Sequence, residues 1–117
     1  MNSGIVIVEL SGRIDSSTIK LLREQIEAII SFNNHRIKTL ILDMQAVEFI
    51  DSNGLGFLIS TLKLSRGMKF DFIIRSIAND QVKDFFVLTQ TFKLFNIEQF
   101  QAQSTPKNPL ISLSPVV

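Results

Sequence analysis

The chain is organised around residues 47–59, which read Val47-Glu48-Phe49-Ile50-Asp51-Ser52-Asn53-Gly54-Leu55-Gly56-Phe57-Leu58-Ile59. The apolar run at residues 39–42 precedes this stretch and predicts a strand buried on both faces, because a half-buried strand would alternate. After Ser52 the apolar period becomes helical. The residues on this helical stripe are Leu55, Leu58, Ile59 and Leu62. A strand is therefore predicted to pass directly into a helix at Asp51 and Ser52.

The junction between this strand and helix is polar and rich in glycine. Asp51 and Ser52 can each cap the free N–H groups of the first helical turn. Gly54 and Gly56 each disfavour a helix by about 1 kcal/mol, so their presence favours close approach of another backbone or a large ligand to the Ser52 hydroxyl. The helix N-terminus also favours negative charge there. Ser52 is thus an ordinary N-cap or a modifiable one, and the residues alone favour the ordinary cap.

The remaining segments alternate between strands and helices. Strands are predicted at residues 5–10, 38–43, 70–74 and 97–100, with a short helical turn at residues 92–95. Helices are predicted after residues 15–17, over residues 52–66 with Gly67 as the stop, and after residues 76–80. This alternation predicts an α/β fold with a mixed, mostly parallel sheet of four to five strands packed with helices.

Length and composition predict one domain over residues 1–100 and a flexible C-terminal tail over residues 101–117. The chain has 117 residues and 45% hydrophobic content, which suits one core and is too short for two ordinary domains. The composition changes after residue 100, because all three prolines lie beyond it, among serine, asparagine and glutamine. Leu110 and Ile111 are the tail residues that could dock on the domain.

Charge and composition exclude several classes of function. The formal net charge is +1 and the basic residues are scattered, which gives no support to nucleic-acid or membrane-surface binding. There is no cysteine and one histidine, so a transition-metal site is not expected. No cofactor is predicted. No leader pattern opens the chain and no apolar run approaches the roughly 18 residues of a membrane span, so a cytoplasmic protein is predicted.

A serine hydrolase is also excluded. His35 precedes the strand at residues 38–43, whereas Ser52 follows it, so six strand residues at about 3.3 Å each separate the two by roughly 20 Å. Residues 51–56 match neither a P-loop nor a dinucleotide-binding fingerprint. The chain is therefore predicted not to be an enzyme.

A parallel sheet gathers its strand-to-helix loops at one edge. Asp15, Ser52 and residues 76–79 are predicted to share that edge, where Asp15 either caps the first helix or contacts a partner. Phe57 lies about 140° from Ser52 around the helix at 100° per residue, on the side of Leu64 and away from the apolar stripe. Phe57 and Leu64 are therefore predicted to form an exposed apolar pair for a partner.

Three segments resemble a known family. Residues 49–56 resemble the Asp-Ser-Ser/Thr-Gly-Leu-Gly signature of STAS domains, specifically the bacterial anti-sigma factor antagonists (anti-anti-sigma factors). Residues 10–15, Leu10-Ser11-Gly12-Arg13-Ile14-Asp15, resemble the family's Leu-Ser-Gly-Glu-Leu-Asp turn, and residues 40–43 its central strand. The resemblance spans about residues 4–100. Asn53 departs from the usual Ser/Thr, and the family's usual first strand has no counterpart before Ile5.

The resemblance implies a STAS fold and a partner-switching role without a cofactor. Unphosphorylated, such a protein binds an anti-sigma factor serine kinase; phosphorylation at the position of Ser52 releases it, and a serine phosphatase restores it. The alternative is a constitutive STAS interaction subunit of a transport or signalling assembly, with Ser52 only a cap. The predicted partner-binding residues are Asp15, Asp51, Ser52, Asn53, Gly54, Gly56, Phe57 and Leu64.

Overall fold

The computed structural model describes residues 4–33 and 36–98. The strands are β1 (Ile5–Ile14), β2 (Thr39–Ile50), β3 (Asp71–Arg75) and β4 (Asn96–Glu98). The helices are α1 (Ile19–Asn33), α2 (Ser52–Met68) and α3 (Asp80–Leu88), followed by a short 3-10 helix at Thr91–Lys93. His35 and the predicted tail lie outside the described residues.

The described strands form one sheet in the order β1-β2-β3-β4, and each neighbouring pair is parallel. The predicted α/β fold with a mixed, mostly parallel sheet of four to five strands is confirmed in its class and strand number, and among the described strands the sheet is entirely parallel. β2 is much longer than the predicted strand at residues 38–43, because it pairs with β1 as far as Ile50. This pairing crosses two irregularities, between Glu9 and Ser11 and between Gly12 and Arg13.

The core lies between the helices and one face of the sheet. In β1, Val6, Leu10 and Ile14 are buried in the core cluster, while Ile5 and Ile7 on the alternate face are exposed. In β2, the three consecutive residues Leu40, Ile41 and Leu42 are all buried, as predicted for an apolar run. The core side chains that are fully buried include Phe57, Leu58, Met44, Ile74 and Phe86.

The predicted exposure of Phe57 is wrong. Its side chain is 0% exposed, whereas Leu64 is 36% exposed. The error arises because α2 packs on α1 as well as on the sheet, so its buried face is wider than one apolar stripe. The buried residues of α2 are Gly54, Phe57, Leu58, Thr61 and Ser65. Leu55, Ile59 and Leu62, which the pattern placed innermost with Leu58, are half-buried.

The predicted end of α2 is also wrong. The helix continues through Gly67 to Met68, and the next residue, Lys69, adopts a left-handed conformation with φ 65°. The Lys69 N–H donates to the Ser65 carbonyl, which also accepts from the Phe70 N–H at 3.0 Å. A lysine therefore occupies the position that a glycine commonly takes after a helix.

Among the described residues, no helix combines the length and apolar character that a bilayer crossing requires.

Candidate functional site: the Ser52 edge of the sheet

Three elements meet at the edge of the sheet where β1 and β2 end. Ile14 and Ile50, the last residues of these strands, are register partners. Gln81, in the first turn of α3, holds Ile50 from the other side: its side-chain oxygen accepts from the Ile50 N–H at 3.1 Å, and its side-chain nitrogen donates to the Ile50 carbonyl at 3.0 Å. The junction that leads to Ser52 is thus fixed by β1 and α3 together.

Asp51 caps α2, and Ser52 is the first helical residue. The Asp51 side-chain oxygen Oδ1 accepts from the Asn53 N–H at 3.0 Å and the Gly54 N–H at 3.1 Å. The Asp51 backbone is extended, with φ −129° and ψ −168°, as expected of an N-cap. The interpretation of Ser52 as the cap is therefore wrong.

The Ser52 side chain is exposed and accessible. Within residues 4–33 and 36–98, its hydroxyl makes no hydrogen bond. Because the cap is a neighbouring residue, chemistry at the Ser52 hydroxyl does not compete with a structural bond. Negative charge added there meets a helix end at which the Asp51 carboxylate already holds two N–H groups.

The two glycines of the first turn have different roles. Gly54 is buried, and a Cβ atom there would overlap the Ile14 carbonyl oxygen and lie 2.8 Å from Ile50 Cγ1. The backbone that approaches Gly54 is therefore β1 of the same chain, not a partner. A Cβ atom on Gly56 would meet no atom within 4 Å, so of the two glycines only Gly56 leaves open space at the first turn.

Asp15 lies at the same edge but is engaged within the protein. Its Oδ1 accepts from the Ser17 hydroxyl at 2.6 Å and the Ser17 N–H at 3.0 Å, and its Oδ2 accepts from Arg13 Nε at 2.8 Å. Its backbone carbonyl accepts from the Thr18 and Ile19 N–H groups, so Asp15 organises the turn into α1. The Ser17 hydroxyl, with a smaller effect of Arg13, lowers the pKa of Asp15 below its ordinary 3.8.

Sequence reasoning missed two residues of this edge. Gln81 gave no signal, because a single glutamine early in a helix is common. Arg13 was part of a quoted motif, but its contacts depend on strand register: Arg13 is paired with Phe49, and its Cζ atom lies 4.0 Å from the Phe49 ring centroid. Asn79, within the predicted loop at residues 76–79, caps α3 by accepting from the N–H groups of Gln81 and Val82.

In the described part of the chain, no three His, Cys, Asp or Glu side chains are grouped so as to hold a metal ion.

The fold and the site together define a small single-sheet α/β domain in which an exposed serine begins a helix. The STAS domain family model matches residues 1–103, and the chain belongs to this family. The fold predicted from the resemblance is thereby confirmed.

The similar proteins include anti-sigma factor antagonists and a sulfate transporter family protein. The chain is 30% identical over 96 residues to the anti-sigma-F factor antagonist RsfB of Mycobacterium tuberculosis, a match covering 81% of this chain and 76% of that protein. The anti-sigma factor antagonist SpoIIAA in its unphosphorylated form matches with TM-score 0.59 and 16% identity, over 93% of this chain and 87% of that one. A sulfate transporter family protein from Wolinella succinogenes matches with TM-score 0.67 and 14% identity, over 82% and 77%.

Proposed function

We propose that this chain is a cytoplasmic anti-sigma factor antagonist in a partner-switching pathway. Unphosphorylated, it binds an anti-sigma factor serine kinase; phosphorylation at Ser52 releases it, and a serine phosphatase reverses the modification. The role is one of binding, and the chain catalyses no reaction in it. Its homologues that are named anti-sigma factor antagonists support this assignment over other roles of the family.

The observation that carries the proposal is the state of Ser52. It is exposed, its hydroxyl makes no hydrogen bond in the described part of the chain, and the adjacent Asp51 supplies the helix cap. A kinase can therefore take the hydroxyl without breaking a structural contact. A phosphate would add about −1.5 to −2 charges directly beside the Asp51 carboxylate. That local charge and the added bulk would disfavour an acidic or apolar partner surface fitted to the unmodified edge.

The proposed docking surface is narrower than the sequence predicted. Ser52 and Asn53 stay in it because they are exposed, and Gly56 stays because the space beside it is open. Asp51 stays as the half-buried residue directly before Ser52. Gly54 and Phe57 are buried and Asp15 is engaged, so these three act by holding the edge in place. A twelve-residue helical rise of about 18 Å separates Leu64 from Ser52, so Leu64 would lie at the margin of the interface.

The second candidate is a constitutive STAS interaction subunit of a transport or signalling assembly. Its basis is that the same fold occurs in a sulfate transporter family protein, at TM-score 0.67, as well as in SpoIIAA, at 0.59. At this level of identity the comparison reports on the fold alone. The two candidates differ in whether a kinase uses Ser52.

An in vitro kinase reaction separates the two candidates. The full chain is incubated with ATP and the serine kinase encoded beside it, and the phosphorylated residue is located by mass spectrometry. The proposal predicts one phosphate at Ser52, none in Ser52→Ala, and full modification of the control Ser60→Ala. Ser60 is a good control because it is also an exposed serine of α2. An unmodified wild-type chain would favour the constitutive subunit.

A further inference from the structure

Arg13 is an exposed side chain that the protein nevertheless holds in one position. Its side chain is 57% exposed, yet Nε donates to Asp15 Oδ2 at 2.8 Å and Cζ lies 4.0 Å from the centroid of the Phe49 ring. An arginine stacked on an aromatic ring and bonded through Nε loses most of its side-chain freedom before any ligand arrives. The entropy of ordering it is therefore already lost in the free protein.

The terminal nitrogens of Arg13 are available for binding. A guanidinium carries five N–H donors, and Asp15 uses the one on Nε. Within residues 4–33 and 36–98, no hydrogen bond from the terminal nitrogens of Arg13 is found. These nitrogens form the planar fork that matches the two oxygens of a carboxylate.

On the surface near Arg13, the Arg13 guanidinium is more exposed than the Asp15 carboxylate that it pairs with. The Asp15 side chain is 11% exposed against 57% for Arg13, and its carboxylate also accepts two hydrogen bonds from Ser17. A molecule that approaches this edge from solvent therefore meets the guanidinium first. A single fixed cation suits one carboxylate, whereas a nucleic acid would require several cations together.

Arg13 belongs to the same edge as Ser52. Its register partner Phe49 precedes Asp51 by two residues. Ile14, the residue after Arg13, places its carbonyl against Gly54 in the first turn of α2. A partner that covers Ser52 and extends over the ends of β1 and β2 would therefore also cover Arg13.

We propose that Arg13 is a specificity residue of the partner interface, where its guanidinium receives a carboxylate of the bound kinase. The inference rests on the proposed function and adds to it the charge of the partner: an acidic side chain must face the end of β1. A kinase with a basic or apolar side chain at that point would bind poorly, because the terminal N–H groups of the guanidinium would be covered without an acceptor.

Binding of the kinase to charge variants of the full chain tests the inference. Affinities are measured by isothermal titration calorimetry for the wild type, Arg13→Lys, Arg13→Glu and the control Arg36→Glu. Arg36 is an exposed arginine that precedes β2, at the opposite end of that strand from Ile50. We expect Arg13→Glu to weaken binding at least about 30-fold, Arg13→Lys about 3- to 10-fold, and Arg36→Glu less than about 2-fold.

A second measurement keeps the inference testable without the kinase. Acetate is titrated into the isotope-labelled full chain and the Nε–Hε resonance of Arg13 is followed by NMR, with thermal unfolding confirming that each variant is folded. A saturable shift at Arg13 in the wild type, retained in Arg36→Glu, supports carboxylate binding by the Arg13 guanidinium. An unmoved Arg13 resonance, or a folded Arg13→Glu that binds the kinase as tightly as the wild type, overturns the inference. Phosphorylation of Ser52 in the same variants reports separately on the proposed function.

Discussion

At the scale of single residues, the junction divides its tasks between neighbours. Asp51 satisfies the N–H groups of Asn53 and Gly54, which leaves the Ser52 hydroxyl without a structural duty. Adjacent aspartate and serine could each have been the cap, since both residue types lead at that position. The sequence could therefore predict a capped helix with a serine at its start, but not which of the two side chains caps the helix.

The first prediction concerns this division. Asp51→Ala should lower the free energy of unfolding by about 1 kcal/mol, because two N–H groups lose their acceptor. Ser52→Ala should change it by less than about 0.5 kcal/mol, as is usual for an exposed side chain without a partner. Asp51→Asn is the matched control, since asparagine also caps. Urea unfolding measures all three, and equal losses for Asp51→Ala and Ser52→Ala would refute the assignment of the cap.

The second prediction is a pH dependence at Asp15. The Ser17 hydroxyl, followed by Arg13, lowers its pKa in the folded chain below the ordinary value of 3.8. The unfolded chain therefore binds the proton first as pH falls, and the stabilisation by the carboxylate is fully present above pH 3.8 and lost as pH falls towards the lowered pKa. The difference in unfolding free energy between the wild type and Asp15→Asn should be constant above that pH and shrink below it. A difference that did not vary with pH would contradict the cited contacts.

Arg13 shows a further limit of sequence reasoning at this scale. It stands where the motif that residues 10–15 resemble has a glutamate, so the sequence alone reveals a change of charge. That this arginine is stacked on Phe49 and bonded to Asp15 depends on the pairing of β1 with β2, which crosses two irregularities before reaching residue 13. Local patterns do not encode such a register.

At the scale of elements, α2 can pack against the end of β1 because residue 54 is a glycine without a side chain. The Ile14 carbonyl at the end of β1 occupies the space where a Cβ atom of residue 54 would lie. This contact brings the first turn of the helix against the sheet and places Ser52 at its edge. The sequence predicted that the two glycines allow another backbone or a large ligand to approach the Ser52 hydroxyl. The structure shows a backbone approach at Gly54 only, and the approaching strand is β1 of the same chain.

The third prediction uses the two glycines as a matched pair. Gly54→Ala should lower the free energy of unfolding by about 1–3 kcal/mol or more, because the added methyl group requires β1 or α2 to move. Gly56→Ala should raise it by up to about 1 kcal/mol, since its surroundings are open and alanine favours a helix. Thermal unfolding of both variants is the measurement. A Gly54→Ala variant as stable as Gly56→Ala would show that β1 does not lie against the helix.

The fourth prediction concerns the link between α3 and β2. Gln81→Ala removes both hydrogen bonds to the Ile50 backbone and should lower the free energy of unfolding by about 1–2 kcal/mol. Asp84→Ala, an exposed substitution on the same helix, is the control. Hydrogen exchange at the Ile50 amide should accelerate in Gln81→Ala only. Unchanged exchange there would mean that α3 does not hold the junction.

The two errors in the prediction of α2 have separate physical causes. Its apolar residues cover much of the helix surface, so the sequence pattern does not select one inward face. Contact with α1 then buries Phe57, although the strongest apolar stripe lies to one side of it. The end of the helix was misplaced because Lys69 itself adopts the left-handed conformation, so Gly67 is not needed to end the helix.

At the scale of the whole molecule, the fold was the most predictable feature. Strands alternate with helices along the described chain, and residues 40–42 are buried throughout, so the parallel sheet follows from periodicity and chain order. Which side chains occupy the edge also follows, because parallel strands end together. The contacts among those side chains do not follow from the sequence, because they depend on strand register and on the packing of α3 against β2.

The fifth prediction is that phosphorylation acts locally. The edge is held by Gly54 against β1 and by Gln81 on Ile50, and neither contact involves the Ser52 hydroxyl. Amide shifts between the unmodified and phosphorylated chains should therefore be confined to the loops around Asp15, Ser52 and residues 76–79. Two-dimensional NMR of both forms measures this. Shifts spread through the sheet and α3 would instead indicate an allosteric mechanism.

The central claim is that a phosphate on Ser52 separates the chain from its partner. The most direct measurement is size-exclusion chromatography with light scattering on the complex of the full chain and the kinase, before and after ATP is added. The account predicts that the wild-type complex dissociates as Ser52 is modified, while the complex of Ser52→Ala persists. A wild-type complex that stays intact after stoichiometric phosphorylation of Ser52 would contradict the account.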